Sequence, residues 1–126
     1  MLKDIPALSE HSLCSHVTEK EMLLIFGGFN KELILNEKLF SLNLNKWNWK
    51  VLETTGDKPT PRKSHGAAII NNKMYVFGGF GSDCIKGTHL NDLYVLDLEK
   101  WVWTKHELEN PPSPREVKKF FGLIFF

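Results

Sequence analysis

The chain has 126 residues, enough for about one domain, and its 42% hydrophobic and 25% charged residues suit a folded globular protein. Sixteen basic and 15 acidic residues are spread along it for a net charge of +1, which leaves no basic stripe for a nucleic acid. Cys14 and Cys84 make no disulfide framework, MLKDIPALSEHSL holds no apolar signal core, and no apolar run nears the roughly 20 residues that span a bilayer. The expectation is an intracellular protein, cytoplasmic or nuclear, with neither nucleic acid nor membrane as a partner.

In chain order, His11, Cys14 and His16 come first, as H-x-x-C-x-H. A zinc site takes about four ligands and no second pair stands at finger spacing, so no metal and no cofactor are expected. Leu23 to Phe29 then reads LLIFGGF, and Met74 to Phe80 reads MYVFGGF, with the glycine pairs 51 positions apart. From Glu37 the chain continues EKLFSLNLNKWNW, matched from Asn91 by NDLYVLDLEKWVW at an offset of 54. The three surplus residues fall in FGSDCIKGTHL, a polar, Gly-containing stretch that reads as a loop, where insertions are tolerated. KPTPRKSH from Lys58 is answered by PPSPREVK from Pro111, with the Pro-Arg dipeptides 53 apart, and His65-Gly66-Ala67-Ala68 has a weaker counterpart 54 positions back in His11-Ser12-Leu13-Cys14.

Each unit parses into four short apolar runs between turn residues, so four strands per repeat are expected. In the second copy these are Ser64 to Ile70, Lys73 to Phe77, Leu93 to Leu98 and Trp101 to Lys105. Asn71-Asn72 suits a tight hairpin with positive backbone angles. Gly78-Gly79 lets the backbone leave its strand where a side chain would clash. Tyr94, Leu96 and Leu98 alternate with Leu93 and Val95, so both faces of the third strand are apolar and the sheet expects packing on both sides. Trp101 and Trp103 share a strand face, and with Trp47 and Trp49 they are expected in the core between the units.

A period near 50 residues, four strands per unit, FGGF, Trp-x-Trp and Pro-x-Pro-Arg-x-x-His together resemble the kelch repeat, whose units are blades of a β-propeller. The resemblance covers about residues 11 to 115, and the longer units with PTPRKSHGAA look like those of the host cell factor, Rab-effector and tip-elongation type. It implies an all-β fold, a partial propeller of two four-stranded antiparallel blades. The organisation expected is a lead-in at 1–10, a first repeat at 11–57, a second at 58–110, and at 111–126 the start of a third that diverges into an apolar tail. A ring needs roughly four to eight blades. The break after Pro114-Arg115, where EVKKFFGLIFF replaces a His-Gly-Ala strand, therefore suggests a fragment or truncated isoform of a longer protein, and copies that associate to complete a ring are the alternative. The tail reads as a non-homologous, aggregation-prone window.

No nucleophile with its base and no converging carboxylates stand out, so the chain is expected to be no enzyme. What differs between the copies is the stretch after each glycine pair, and binding residues concentrate on variable loops over a rigid scaffold. The expected binding residues are Phe29, Asn30 and Lys31 in the first copy and Phe80, Ser82, Asp83 and Lys86 in the second. Arg62 joins them as either an anchor between blades or a ligand contact at the ring mouth. The expected function is a protein-interaction module, a scaffold or substrate adaptor with another protein as partner. The alternatives are a non-functional truncated product, or part of a propeller enzyme whose active residues lie in other blades.

Overall fold

The computed structural model describes residues 7–16, 21–83 and 85–114, and every regular element among them is a strand. The first sheet is an antiparallel meander of β1 Ser9–His16, β2 Met22–Phe29, β3 Leu39–Asn43 and β4 Asn48–Leu52. The second sheet repeats the meander after two short strands, β5 Thr55–Gly56 and β6 Arg62–Lys63, with β7 Gly66–Ile70, β8 Lys73–Gly81, β9 Thr88–Asp97 and β10 Val102–His106. The fold is thus all-β and takes the form of two successive blades of an open propeller. β5 leaves the first blade and runs parallel to β10, the outer strand of the second, so the chain seams one blade to the next.

Turn chemistry fixes the hairpins. Asn71 and Asn72 take φ of 47° and 64°, the tight turn expected of them. Between β9 and β10 the Asp97 carboxylate accepts the Glu99 and Lys100 amides at 2.8 and 3.0 Å. Those amides, Lys100's first and then Glu99's, hold its pKa below the ordinary carboxylate value. In the first blade Asn43 does the same for Asn45 and Lys46, at 2.9 Å each. Each turn closes on a tryptophan of positive φ, Trp47 at 53° and Trp101 at 57°, whose amide donates back to residue 43 or 97 at 2.8 Å.

Strand alternation builds the core between the blades. Leu24, Phe26 and Leu39 of the first sheet meet Met74, Val76, Leu96 and Trp103 of the second, all nearly or fully buried. The far face of the second sheet carries Tyr75, Phe77, Leu93 and Val95, each half-buried. On the far face of the first, Ile25, Phe40 and Leu42 are buried as well.

Four expectations change. Trp103 is in the interblade core, 5.4 Å from the Phe26 ring, but Trp47 is 71% exposed and Trp49 and Trp101 are half-buried. The alternation argument assumed that both tryptophans of each pair lie in the strand, whereas β4 and β10 begin one residue after Trp47 and Trp101. The run Ser64 to Ile70 is divided, because Ser64 turns to a φ of 53° between β6 and β7. The glycine pair does not release the chain: β2 continues to Phe29, and β8 runs on to Gly81 with a register shift between Phe77 and Gly79. Finally, the three surplus residues enter no plain loop. They lengthen the β8–β9 ladder past the shift through Gly79 opposite Leu90, Phe80 opposite His89 and Gly81 opposite Thr88, where the first blade has only the bridge of Phe29 to Leu35.

Glycine is required at this bulge because the inner strand passes over it. A Cβ on Gly79, whose φ is 99°, would meet the Lys63 carbonyl at 2.6 Å and His65 Cβ at 2.9 Å, and one on Gly28 would meet Ser9 O and His11 Cβ at the same two distances. Gly79→Ala therefore combines backbone strain with a clash against fixed backbone, and is expected to lower unfolding stability by about 2 kcal/mol or more. Urea denaturation measures it; a loss under about 0.5 kcal/mol, the size of an ordinary surface substitution, would contradict the packing described.

Candidate functional site

The strand ends after the two glycine pairs bring three segments together: the loop 30–38 after β2, the loop 82–87 after β8, and the connection 57–65 between the blades. Lys63 ties them. Its ammonium lies 5.1 Å from the Phe29 ring centre and 5.5 Å from that of Phe80, and 3.8 Å from a Glu10 carboxylate oxygen. A cation held between two ring faces is attracted by both quadrupoles, by the more because the Lys63 side chain is only 16% exposed. His89 packs edge-on against Phe80 at 5.3 Å. Phe29 and Phe80 thus form the floor of the rim, and both remain half-buried.

The loops above are preorganised by their own polar residues. Asn30 accepts the amides of Glu32 and Ile34, each at 3.0 Å, while its backbone bonds to Leu33 and Ile34. Asp83 accepts the Ile85 and Lys86 amides at 2.8 and 2.7 Å, which lower its pKa, the Lys86 amide most. These local bonds fix the loop backbones in water without help from the core. Lys31, Ser82 and Lys86 are exposed. The sequence reasoning missed the residues at the loop tips, Ile34 at 61% exposure and Ile85 at 70%. For Ile85 the signal was an apolar residue beside Lys86 inside a polar turn stretch, whereas Ile34 lies in the apolar run Leu33-Ile34-Leu35, which singles out none of its members.

Arg62 is placed differently from the other expected binding residues, since it is fully buried. Its five N–H donors are all engaged: Nε to Thr60 O at 3.1 Å, Nη1 to Gly78 O at 3.1 Å and Asp92 Oδ1 at 2.5 Å, and Nη2 to Thr60 Oγ1 at 3.2 Å and Asp92 Oδ2 at 3.1 Å. The guanidinium also stacks over the Tyr94 ring at 5.3 Å. It locks the entering chain to the glycine bulge and to β9, and holds the rim's connection in place.

His65 sits deeper, edge-on to Phe26 at 5.3 Å, and a Cβ on Gly27 would collide with its ring. Both ring nitrogens are buried without a hydrogen-bond partner. Burial first, then the Arg62 charge and His11, push its pKa down to about 3. A kink beside it was also invisible in the sequence. Glu10 and Ser64, 54 positions apart, both take positive φ, and the Ser64 amide donates to the Glu10 carbonyl at 3.1 Å while its hydroxyl meets the Glu10 carboxylate.

Behind the rim, Lys38, Leu39, Val51, Pro59, Pro61 and Trp103 line a cleft of about 360 Å³ where the connection crosses between the blades. Among the described residues no three His, Cys, Asp or Glu side chains are grouped to hold a metal ion, and no helix is long and apolar enough to cross a membrane. The side chains of Cys14 and His16, as well as Cys84, Arg115 and the tail EVKKFFGLIFF, lie outside the described residues.

The two glycine pairs of positive φ, the paired arginine of the connection and the four-strand meander stand beside a match to a family profile over residues 3–122, described as the KLHDC2/KLHL20/DRC7 Kelch-repeats domain. The chain belongs to the kelch-repeat family. Among curated relatives, the host cell factor homolog hcf-1 of Caenorhabditis elegans is 36% identical over 104 residues, 79% of this chain and 13% of its own length. Dynein regulatory complex subunit 7 of Chlamydomonas reinhardtii is 39% identical over 99 residues, 75% of this chain and 8% of its own. Acyl-CoA-binding domain-containing protein 4 of Arabidopsis thaliana is 44% identical over 69 residues, 55% of this chain and 10% of its own. The chain thus spans about a tenth of the length of these relatives.

Two predictions follow from the buried polar pair. Lysine has three donors and no planar fork, so Arg62→Lys leaves Asp92 and the Gly78 carbonyl poorly matched; unfolding stability should fall by roughly 2 kcal/mol, read from denaturant midpoints. For His65 the folded-state pKa lies below the unfolded value of 6.5, so the unfolded chain binds the extra proton between these limits. Its contribution is intact above pH 6.5 and is lost at about 1.4 kcal/mol per pH unit as pH falls toward 3. Thermal melts across that window should show His65→Leu with a shallower pH dependence than the parent; identical slopes would mean that His65 is not the group.

Proposed function

We propose that this chain is a non-enzymatic protein-interaction module of the kelch type, with the loops 30–38 and 82–87 as its contact surface. Kelch-repeat domains generally act as protein-interaction modules. The observation that carries the reading is the pair of exposed apolar tips, Ile34 and Ile85, on loops that are fixed by Asn30 and Asp83 and stand over a rigid ladder. A loop ordered before binding loses little entropy on association, and an apolar side chain held in water gains on burial. Lys31 and Lys86 flank the tips, so the surface suits a partner that offers an apolar pocket with carboxylates at its edge. The partner is another protein, met in the cytoplasm or nucleus, in a scaffold or adaptor role. Phe29 and Phe80 support the loops from below, and Arg62 supports the connection.

Replacing Ile34, Ile85 and Lys86 together by serine leaves Asn30, Asp83 and the core untouched. Affinity capture followed by mass spectrometry is expected to lose the proteins held by the parent chain, with an unchanged melting temperature. An identical captured set would overturn the assignment of this surface.

A further inference from the structure

The far face of the second sheet has an occupant that the repeat itself specifies. Tyr75 and Phe77 stand 51 positions after Leu24 and Phe26, and Leu93 stands 54 after Leu39. In the first blade those three positions form the surface on which the second blade rests, and the first strand of the second blade, β7, packs Ala67 and Ile69 against that core. The second blade therefore repeats an interface whose other half, by register, begins with the residues after the next Pro-Arg.

The described chain shows where those residues are delivered. In the first blade the connection carries Pro59 past Glu37 and Lys38, which line the cleft with it. In the second, Pro112, 53 positions later, lies against Asn91, the position 54 after Glu37, and Asn91 Nδ2 donates to Pro112 O at 3.2 Å. So at Pro112 the chain stands beside the position of the second blade that corresponds to Glu37, with which Pro59 shares a cleft in the first. At the same offset of 53, residues 119–126, KFFGLIFF, correspond to 66–73, the span of β7 and its turn. This segment has four phenylalanines, a leucine and an isoleucine, where β7 has two alanines and two isoleucines.

We infer that the outer face of the second sheet, Tyr75, Phe77, Leu93 and Val95, is a docking surface for the chain's own segment 119–126, which covers it as β7 covers the first sheet. The apolar composition that makes the segment a hazard in water is what this face requires. The other occupant, a second copy of the chain, is distinguished by the test.

The test places a photo-crosslinking benzoylphenylalanine at Val95, in the centre of the face, in the full chain. Unlabelled and isotopically heavy chains are mixed before irradiation. The expected product has the mass of one chain, and after tryptic digestion its crosslink lies in FFGLIFF without mixed-isotope pairs. Crosslinks that join heavy to light chains would assign the face to a second copy and overturn the inference. Monomeric crosslinks that fall only outside 119–126, or no crosslink at all, would overturn it too. As a second reading, the chain ending at Lys118 should enhance the emission of a dye that binds exposed apolar surface, and equal emission from both chains would count against the inference.

Discussion

The structure depends on one close approach, that of the connecting chain to the glycine pair of the blade before it. At Gly27 the first sheet offers the next blade a backbone with no side chain, and Arg62 O would lie 2.6 Å from a Cβ there, with the His65 ring nearer still. Because the chain can come that close, Phe26 reaches both His65 and Trp103, and the two sheets stack with their apolar faces in contact. Packed interiors lose their attraction steeply with separation, so anything that holds the sheets apart weakens the whole core between them.

Polar groups make this approach directional. Arg62 spends its donors within its own blade, on the Gly78 carbonyl and on Asp92, and so turns a flexible connection into a fixed edge. A buried charge pair adds little net stability over an apolar one, but it penalises every arrangement in which it is broken. On that edge the next residue, Lys63, reaches between Phe29 and Phe80. The spacing of the two rim loops is therefore set by the same three residues, 62, 63 and 65, that set the spacing of the sheets. The rim belongs to the interface between blades more than to either blade.

The sequence made the architecture legible because repeats are self-checking: LLIFGGF and MYVFGGF, NKWNW and EKWVW support each other where a single copy would be ambiguous. The burial of Trp103 was readable for the same reason, and the Asn-Asn hairpin from its turn chemistry. What escaped was the phase of the backbone. A tryptophan at positive φ is rare, so Trp47 and Trp101 were counted as strand residues, and with them the alternation went wrong by one position. The kinks at Glu10 and Ser64 have no glycine to announce them and arise only where two blades meet. At the rim, the loops were picked out by the difference between copies, but Ile85 was passed over because polar neighbours mark a turn without telling which side chain stands outward, and Ile34 because it lies in the apolar run Leu33-Ile34-Leu35. Arg62 was read as either an anchor between blades or a ligand contact; the structure buries it with its donors on Thr60, Gly78 and Asp92 of its own blade, an arrangement the sequence does not display.

The lengthened β8–β9 hairpin makes the propeller's edge uneven. Three surplus residues shared between the two arms of a hairpin, at roughly 3.3 Å each, raise the second blade's crest by about 5 Å over the first blade's. A flat partner surface would come to rest on that crest and leave the lower neighbour untouched, whereas a surface with a matching ledge would seat on both. Insertion length at this one hairpin thus acts as a steric filter on the contour of what can land there, before any side chain is compared.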